Sequence, residues 1–170
     1  ASDLAELDMP GGSGTAAGGF DGIVRAGKPT PEVPSGVSVW ELSVEESAQN
    51  KATQDYDKRL AGPEGIPTHD VTYVEAILAP WTKSREWAST RSKEGRWKSV
   101  NALNLDRIHA WLDRAPATTA WLAERLGKAM PGVRLVDQWW KDTWLPSTNP
   151  PLGAEIVLAG RAKQAEELVR

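Results

Sequence analysis

The stretch "GFDGIVRAGKPTPEVPSGVSVWELSV" (residues 19–44) predicts the centre of the fold, because two apolar runs flank a rigid, proline-rich connection. Strands are predicted over 20–26 and 37–44, and the three prolines between them prevent a regular ladder there. Asp21 opens the first strand, and Glu41 lies inside the second. The residues that share a face of the second strand with Glu41 are Val37, Val39 and Ser43. That face is expected to meet either solvent or a site.

The rest of the chain alternates between predicted helices and strands. A helix capped by Ser43 or Ser47 ends at Gly62 and Pro63. The further predicted strands are 68–80 and 97–105, and the further predicted helices are 84–95, 106–115, 116–128 and 133–144. Helices that connect the later strands imply crossovers and a covered, mixed sheet. The predicted fold class is therefore α/β, with a mixed central sheet of about four strands flanked by helices and a helical C-terminal extension.

Composition divides the chain into three predicted segments. Residues 1–18 are predicted to be flexible, because they end in the glycine-rich "PGGSGTAAGG". Residues 19–128 form the predicted α/β domain. Residues 129–170 form a Trp-rich helical extension or a linker to a further domain, and the absence of a helix stop signal at the end predicts that the natural protein continues.

Several function classes are excluded by composition. The chain has no Cys and only two His, so thiol catalysis and a His-rich metal site are not expected. A metal would be held by carboxylates and would be a hard ion such as Mg²⁺ or Mn²⁺. The sequence lacks GxxxxGK[ST], GxSxG and HExxH motifs. No apolar run approaches the roughly 20 residues of a membrane helix, so a cytoplasmic protein without a membrane partner is expected.

The acidic residues of the two strands are the first candidates for chemistry. Two carboxylates on adjacent strands can converge at one end of a sheet and share Mg²⁺, which activates a water and neutralises the charge that grows on a phosphodiester. Lys51, Asp55 and Lys58 fall near one face of the following helix, so that face carries two lysines and one further acid. The other interpretation of these helix residues is a solvated face with an i,i+4 ion pair.

The segments "FDG", "VWELS" and "NKATQDYDKR" resemble the PD-(D/E)XK, or restriction-endonuclease-like, superfamily. That family has a core of a helix, three meander strands, a helix and a further strand. The resemblance implies that Asp21 and Glu41 are the acidic motif residues, hold Mg²⁺ or Mn²⁺, and are catalytic. Ser43 stands in the usual lysine position, and Lys51 is the candidate replacement and third catalytic residue.

A looser resemblance connects "GFDGIVRA", "SVWELSV" and "KATQDYDKR" with the N-terminal modules of large bacterial anti-phage proteins, in which a nuclease-like domain precedes an NTPase. It implies hydrolysis of DNA phosphodiesters in anti-phage defence. The implied partners are DNA and further domains of a larger protein, such as an NTPase. Whether the protein forms an oligomer is left open. Ser43 favours the alternative, a catalytically degenerate nuclease-fold module that acts in nucleic-acid binding, sensing or protein assembly.

The segment "KSREWASTRSKEGRWK" (83–98) carries six cations, two glutamates and two tryptophans. Such a pattern suits phosphate contacts with aromatic stacking on bases. The predicted nucleic-acid-binding residues are Lys83, Arg85, Arg91, Lys93, Arg96 and Lys98. In the other interpretation, the segment is a solvated helix and loop that Trp87 and Trp97 anchor to the core.

Nine tryptophans stand against one Phe and two Tyr, and most of them are expected to fill the core. A close trio near the C-terminus cannot all face one way, which predicts a protein interface. The predicted interface residues are Trp139, Trp140 and Trp144.

Overall fold

A computed structural model describes residues 3–9, 19–128, 134 and 136–168. The chain divides into two compact units, Ser2–Trp111 and Leu112–Arg170. The first unit contains a five-stranded sheet, and the second is built from short helices. Among the described residues, no helix has the length and apolar character needed to cross a membrane.

The sheet is mixed, as the sequence predicts, and its strands lie in chain order. They are β1 (Leu4–Asp8), β2 (Gly22–Ala26), β3 (Gly36–Ser43), β4 (Thr72–Ile77) and β5 (Ser99–Leu103). β1, β2 and β3 form an antiparallel meander, whereas β4 pairs parallel with β3 and β5 pairs parallel with β4. The α/β class is confirmed, with five strands in place of the predicted four.

The additional strand is β1, which lies within the segment 1–18 that was predicted to be flexible. Every residue of β1 is exposed, so it carries no buried, alternating pattern that sequence analysis can detect. Its backbone pairs with β2, and Arg25 Nε donates to Glu6 Oε2 across the pair at 2.8 Å. The glycine-rich residues 10–18 lie outside the described residues.

Helices supply the crossovers between the parallel strands. The helix α1 (Ala48–Ala61) connects β3 to β4, and α2 (Ser84–Lys93) connects β4 to β5. The predicted strand 68–80 is shorter than expected, because its first residues form a 3₁₀ turn at Thr68–Asp70. The remaining helices are α3 (Leu105–Asp113), α4 (Pro116–Arg125), α5 (Val136–Trp139), a π-helical turn (Trp140–Trp144), α6 (Leu145–Ser147), α7 (Ala154–Val157) and α8 (Ala162–Leu168).

Both faces of the sheet carry a buried cluster. On the face of α1 and α2, Tyr73 packs edge-on against Tyr56 at 5.5 Å and lies 5.3 Å from Trp97. On the opposite face, Trp40 packs with Val24, Val74 and Leu103, and α3 adds Ile108 and Trp111. The alternation of β3 therefore places Glu41 on the face that α1 covers.

The edge strand β5 is capped by Ser92 of α2. The Val100 backbone N–H donates to Ser92 Oγ at 2.8 Å, and the Ser92 hydroxyl donates to the Val100 carbonyl at 3.2 Å. Such caps cover edge groups that would otherwise pair with other chains. Ser92→Ala is expected to lower the free energy of unfolding by about 1–2 kcal/mol, because it removes the partner of Val100.

Urea denaturation measures this loss, with Ser89→Ala as the matched control. Ser89 is an exposed serine of the same helix, and its removal should change stability by less than about 0.5 kcal/mol. Equal effects of the two substitutions would show that Ser92 does not cap β5.

Candidate functional site

Asp21 and Glu41 lie at the same end of the meander. β2 and β3 pair Gly22 with Trp40, so Asp21 immediately precedes the paired segment. Asp21 Oδ2 accepts a hydrogen bond from the Leu42 N–H at 2.8 Å, which holds the Asp21 carboxylate next to β3. The pKa of Glu41 is raised overall, and burial is the largest cause. The hydrogen bond and charge of Arg59 oppose this rise, whereas the negative charge of Asp21 adds to it. The structure thus brings the two predicted acids together.

Glu41 is buried and carries its own counterion. Arg59 of α1 donates from Nε to Glu41 Oε1 and from Nη2 to the Gly19 carbonyl. The guanidinium also lies over the Phe20 ring, 4.9 Å from its centroid. The side chains of Glu41 and Arg59 are only 6% and 5% exposed. The face of Glu41 therefore meets a helix that neutralises its charge, and not solvent.

Lys51 lies one turn inside α1. Its Nζ is 2.8 Å from Asp55 Oδ1, so the i,i+4 ion pair forms. The face is not fully solvated, because the Asp55 side chain is 10% exposed and that of Lys51 is 35% exposed. The Asp55 hydrogen bond raises the pKa of Lys51, burial opposes it, and the charges of Asp55, Glu75 and Glu41 add to the rise. Lys51 therefore lies within electrostatic reach of the acids of the sheet.

Glu75 of β4 is a site residue that sequence analysis missed. The parallel register places Glu75 directly beside Glu41, and the Glu75 side chain is fully buried. The Tyr73 hydroxyl donates to Glu75 Oε2 at 2.7 Å, while Oε1 has no hydrogen-bond partner within the described part of the chain. Burial raises the pKa of Glu75 to about 8, with opposition from the Tyr73 hydrogen bond and support from the charges of Asp55 and Glu41.

These side chains form one carboxylate cluster beneath α1. Its four acids come from the β2 end, β3, α1 and β4, and its two cations come from α1. The members are Asp21, Glu41, Asp55, Glu75, Lys51 and Arg59. With every group ionised the acids outnumber the cations, and a buried excess of negative charge favours uptake of a proton or a cation.

The donor chemistry of the carboxylate cluster suits a hard cation. Carboxylate oxygens are the ligands that Mg²⁺ and Mn²⁺ prefer, and Glu75 contributes a buried oxygen that has no hydrogen-bond partner among the described residues. The spacing is less favourable, because no group of three His, Cys, Asp or Glu side chains among the described residues is arranged to hold a metal ion. Asp21 and Glu41 remain the two predicted ligands.

The predicted nucleic-acid-binding residues differ in solvent exposure and in their charged partners. The exposed ones are Lys83, Arg85, Lys93, Arg96 and Lys98. Arg91 is half-buried, since it lies over the Tyr56 ring at 4.9 Å and pairs with Glu94 at 2.8 Å. Trp87 and Trp97 are buried in the core, which confirms their interpretation as anchors and removes them as stacking platforms.

The tryptophan trio of the second unit stacks upon itself. Trp144 lies 5.7 Å from Trp140 and 5.9 Å from Trp139, measured between ring centroids. The π-helical turn brings these side chains to one side, which a regular helix would spread apart. Trp139 remains 42% exposed and the other two tryptophans are half-buried, so the predicted protein interface stays a prediction.

Comparisons with known proteins found no match to this chain. No protein-family model matches the chain, and no curated protein or solved structure matches it.

Proposed function

We propose that the chain is a nuclease-like module of a bacterial anti-phage defence protein, which hydrolyses DNA phosphodiesters in a metal-dependent reaction in the cytoplasm. The observation that carries the proposal is the position of Glu41, which lies beside the Asp21 carboxylate that Leu42 holds and within electrostatic reach of Lys51. Perturbed acids and bases that share one buried location are typical of functional sites.

The order of elements supports the same proposal. Three meander strands, a helix and a parallel strand follow one another as β1, β2, β3, α1 and β4. This is the order of the restriction-endonuclease-like core after its first helix.

In the proposed site, Asp21 and Glu41 hold Mg²⁺ or Mn²⁺. When bound, such an ion activates a water and neutralises charge on the phosphodiester. Lys51 exchanges Asp55 for a phosphate oxygen, which its partial exposure permits, and stabilises the charge that develops there. The exposed cations of α2 and the loop after it contact the DNA backbone.

A second candidate function is favoured by Arg59. Its guanidinium holds Glu41 from within the core, and Ser43 occupies the usual lysine position. An acid that a buried arginine already neutralises favours the catalytically degenerate module, which acts in nucleic-acid binding, sensing or protein assembly without cleavage. The tryptophan trio then forms the interface with a partner or a further domain.

Cleavage of supercoiled plasmid in Mg²⁺ and in Mn²⁺ tests the first candidate. Asp21→Asn, Glu41→Gln and Lys51→Ala are each expected to reduce nicking by about 100-fold or more. Lys58→Gln removes an exposed cation of the same helix and is expected to retain wild-type nicking. Thermal melting by circular dichroism checks that each variant is folded.

DNA binding, measured in parallel by fluorescence anisotropy, separates the two candidates. Metal-dependent nicking that all three substitutions abolish supports the hydrolase. Binding without nicking in either metal supports the degenerate module. A chain that neither binds nor cleaves DNA would overturn both nucleic-acid functions.

A further inference from the structure

A polar pocket lies between α2 and β5, and it does not include any member of the carboxylate cluster. Its volume is about 380 Å³, within the usual range for small-molecule sites. The polar residues that line it are Arg85, Ser89, Asn101 and Arg107. None of its lining residues is acidic, so the pocket presents two cations and two neutral polar groups.

Arg107 is held in place by the backbone. Its Nη1 donates to the Ala102 carbonyl at 2.7 Å, and its Nη2 donates to the Pro31 carbonyl at 3.1 Å. Its own backbone N–H donates to Asn104 Oδ1 at 3.1 Å. A guanidinium positioned in this way loses little conformational entropy when it binds a ligand, and two bonds leave further N–H donors for that ligand.

Arg85 faces Arg107 with a like charge. Burial lowers the pKa of Arg107, and the positive charge of Arg85 lowers it further, while the negative charge of Glu32 partly compensates. Arg85 is exposed, and its guanidinium has no hydrogen-bond or ion-pair partner among the residues that the structure describes. Two guanidinium groups that repel across a pocket are stabilised together by an anion placed between them.

We propose that this pocket binds a phosphate group, with Arg85 and Arg107 as the charged ligands and Ser89 and Asn101 as neutral donors. The planar guanidinium presents paired N–H donors that match the oxygens of a phosphate. The inference rests on the proposed nucleic-acid role, in which this phosphate belongs to a DNA strand that crosses the edge of the sheet. Free phosphate compounds carry the same chemistry.

The test uses the full chain with two probes, a fluorescent 15-nucleotide oligothymidylate and inorganic pyrophosphate. Arg85→Gln is expected to weaken oligonucleotide binding about 5- to 10-fold at low salt, because one phosphate contact is lost. It is also expected to reduce the slope of log K against log salt by about 0.7, the contribution of one phosphate contact on a single strand. Lys58→Gln removes an equal charge from an exposed position outside the pocket and controls for the general field of the protein.

The two probes separate failure of the pocket from failure of the proposed function. Oligonucleotide binding that Arg85→Gln weakens no more than Lys58→Gln would overturn the pocket and leave the nucleic-acid role standing. Binding of pyrophosphate alone, with dependence on Arg85, would support the phosphate pocket and contradict the DNA role. If neither the oligonucleotide nor pyrophosphate binds, the inference is wrong.

Discussion

Replacement of Arg59 by alanine is expected to lower the free energy of unfolding by about 3–5 kcal/mol. The substitution leaves Glu41 as a buried carboxylate without its counterion, and it also removes the donor to the Gly19 carbonyl and the cation above Phe20. Removal of one partner from a buried ion pair costs far more than the net value of the pair, because the remaining charge cannot regain water. Urea denaturation at neutral pH measures the loss.

Arg25→Ala is the matched control for this experiment. Arg25 also pairs with a glutamate at 2.8 Å, but the side chains of Arg25 and Glu6 are 54% and 52% exposed. Its loss is expected to cost less than about 1 kcal/mol, because water replaces the exposed partner. The double substitution Glu41→Gln with Arg59→Met should recover much of the stability, since it removes both charges and retains the volume. Equal losses in Arg59→Ala and Arg25→Ala would contradict the buried pair.

The strands with short apolar runs were the part of the fold that sequence could predict. The strand predicted at 37–44 is observed at Gly36–Ser43, and the one predicted at 97–105 is observed at Ser99–Leu103. β3 buries the continuous run 38–41, because both faces of the sheet are covered, and β5 buries Val100, Ala102 and Leu103. Short apolar runs of this kind are visible in the sequence itself. β1 has only exposed side chains, and backbone pairing and surface contacts hold it in place, so its residues gave no signal.

The candidate site was predictable only in part, for a related reason. Asp21 and Glu41 stand out because the first opens and the second interrupts an apolar strand, and a short connection joins the two strands. Glu75 also interrupts an apolar strand, but its position beside Glu41 depends on the parallel order and register of β3 and β4. Arg59 reaches Glu41 only because α1 packs on the sheet. The residues around Arg59 in the sequence do not indicate this contact. Contacts made across the fold thus decide which charged residues meet.

The pH dependence of stability is expected to come largely from Glu75. Its pKa is raised from 4.5 to about 8 in the folded protein, chiefly by burial. Between these two values the folded state binds a proton that the unfolded state releases, so rising pH destabilises the fold. The contribution of Glu75 is fully present below pH 4.5, declines through this interval, and is lost above about pH 8. The expected loss is about 3–5 kcal/mol.

Glu75→Gln tests this expectation, because glutamine resembles the protonated acid and its carbonyl oxygen can accept the Tyr73 hydroxyl. The difference in unfolding free energy between the variant and the wild type, measured in urea from pH 5 to pH 8, is expected to grow steadily in favour of the variant. Glu86→Gln removes an exposed acid and should run parallel to the wild type. Parallel profiles for all three proteins would contradict the raised pKa of Glu75, because they would mean that this carboxyl is already ionised in the folded protein at pH 5.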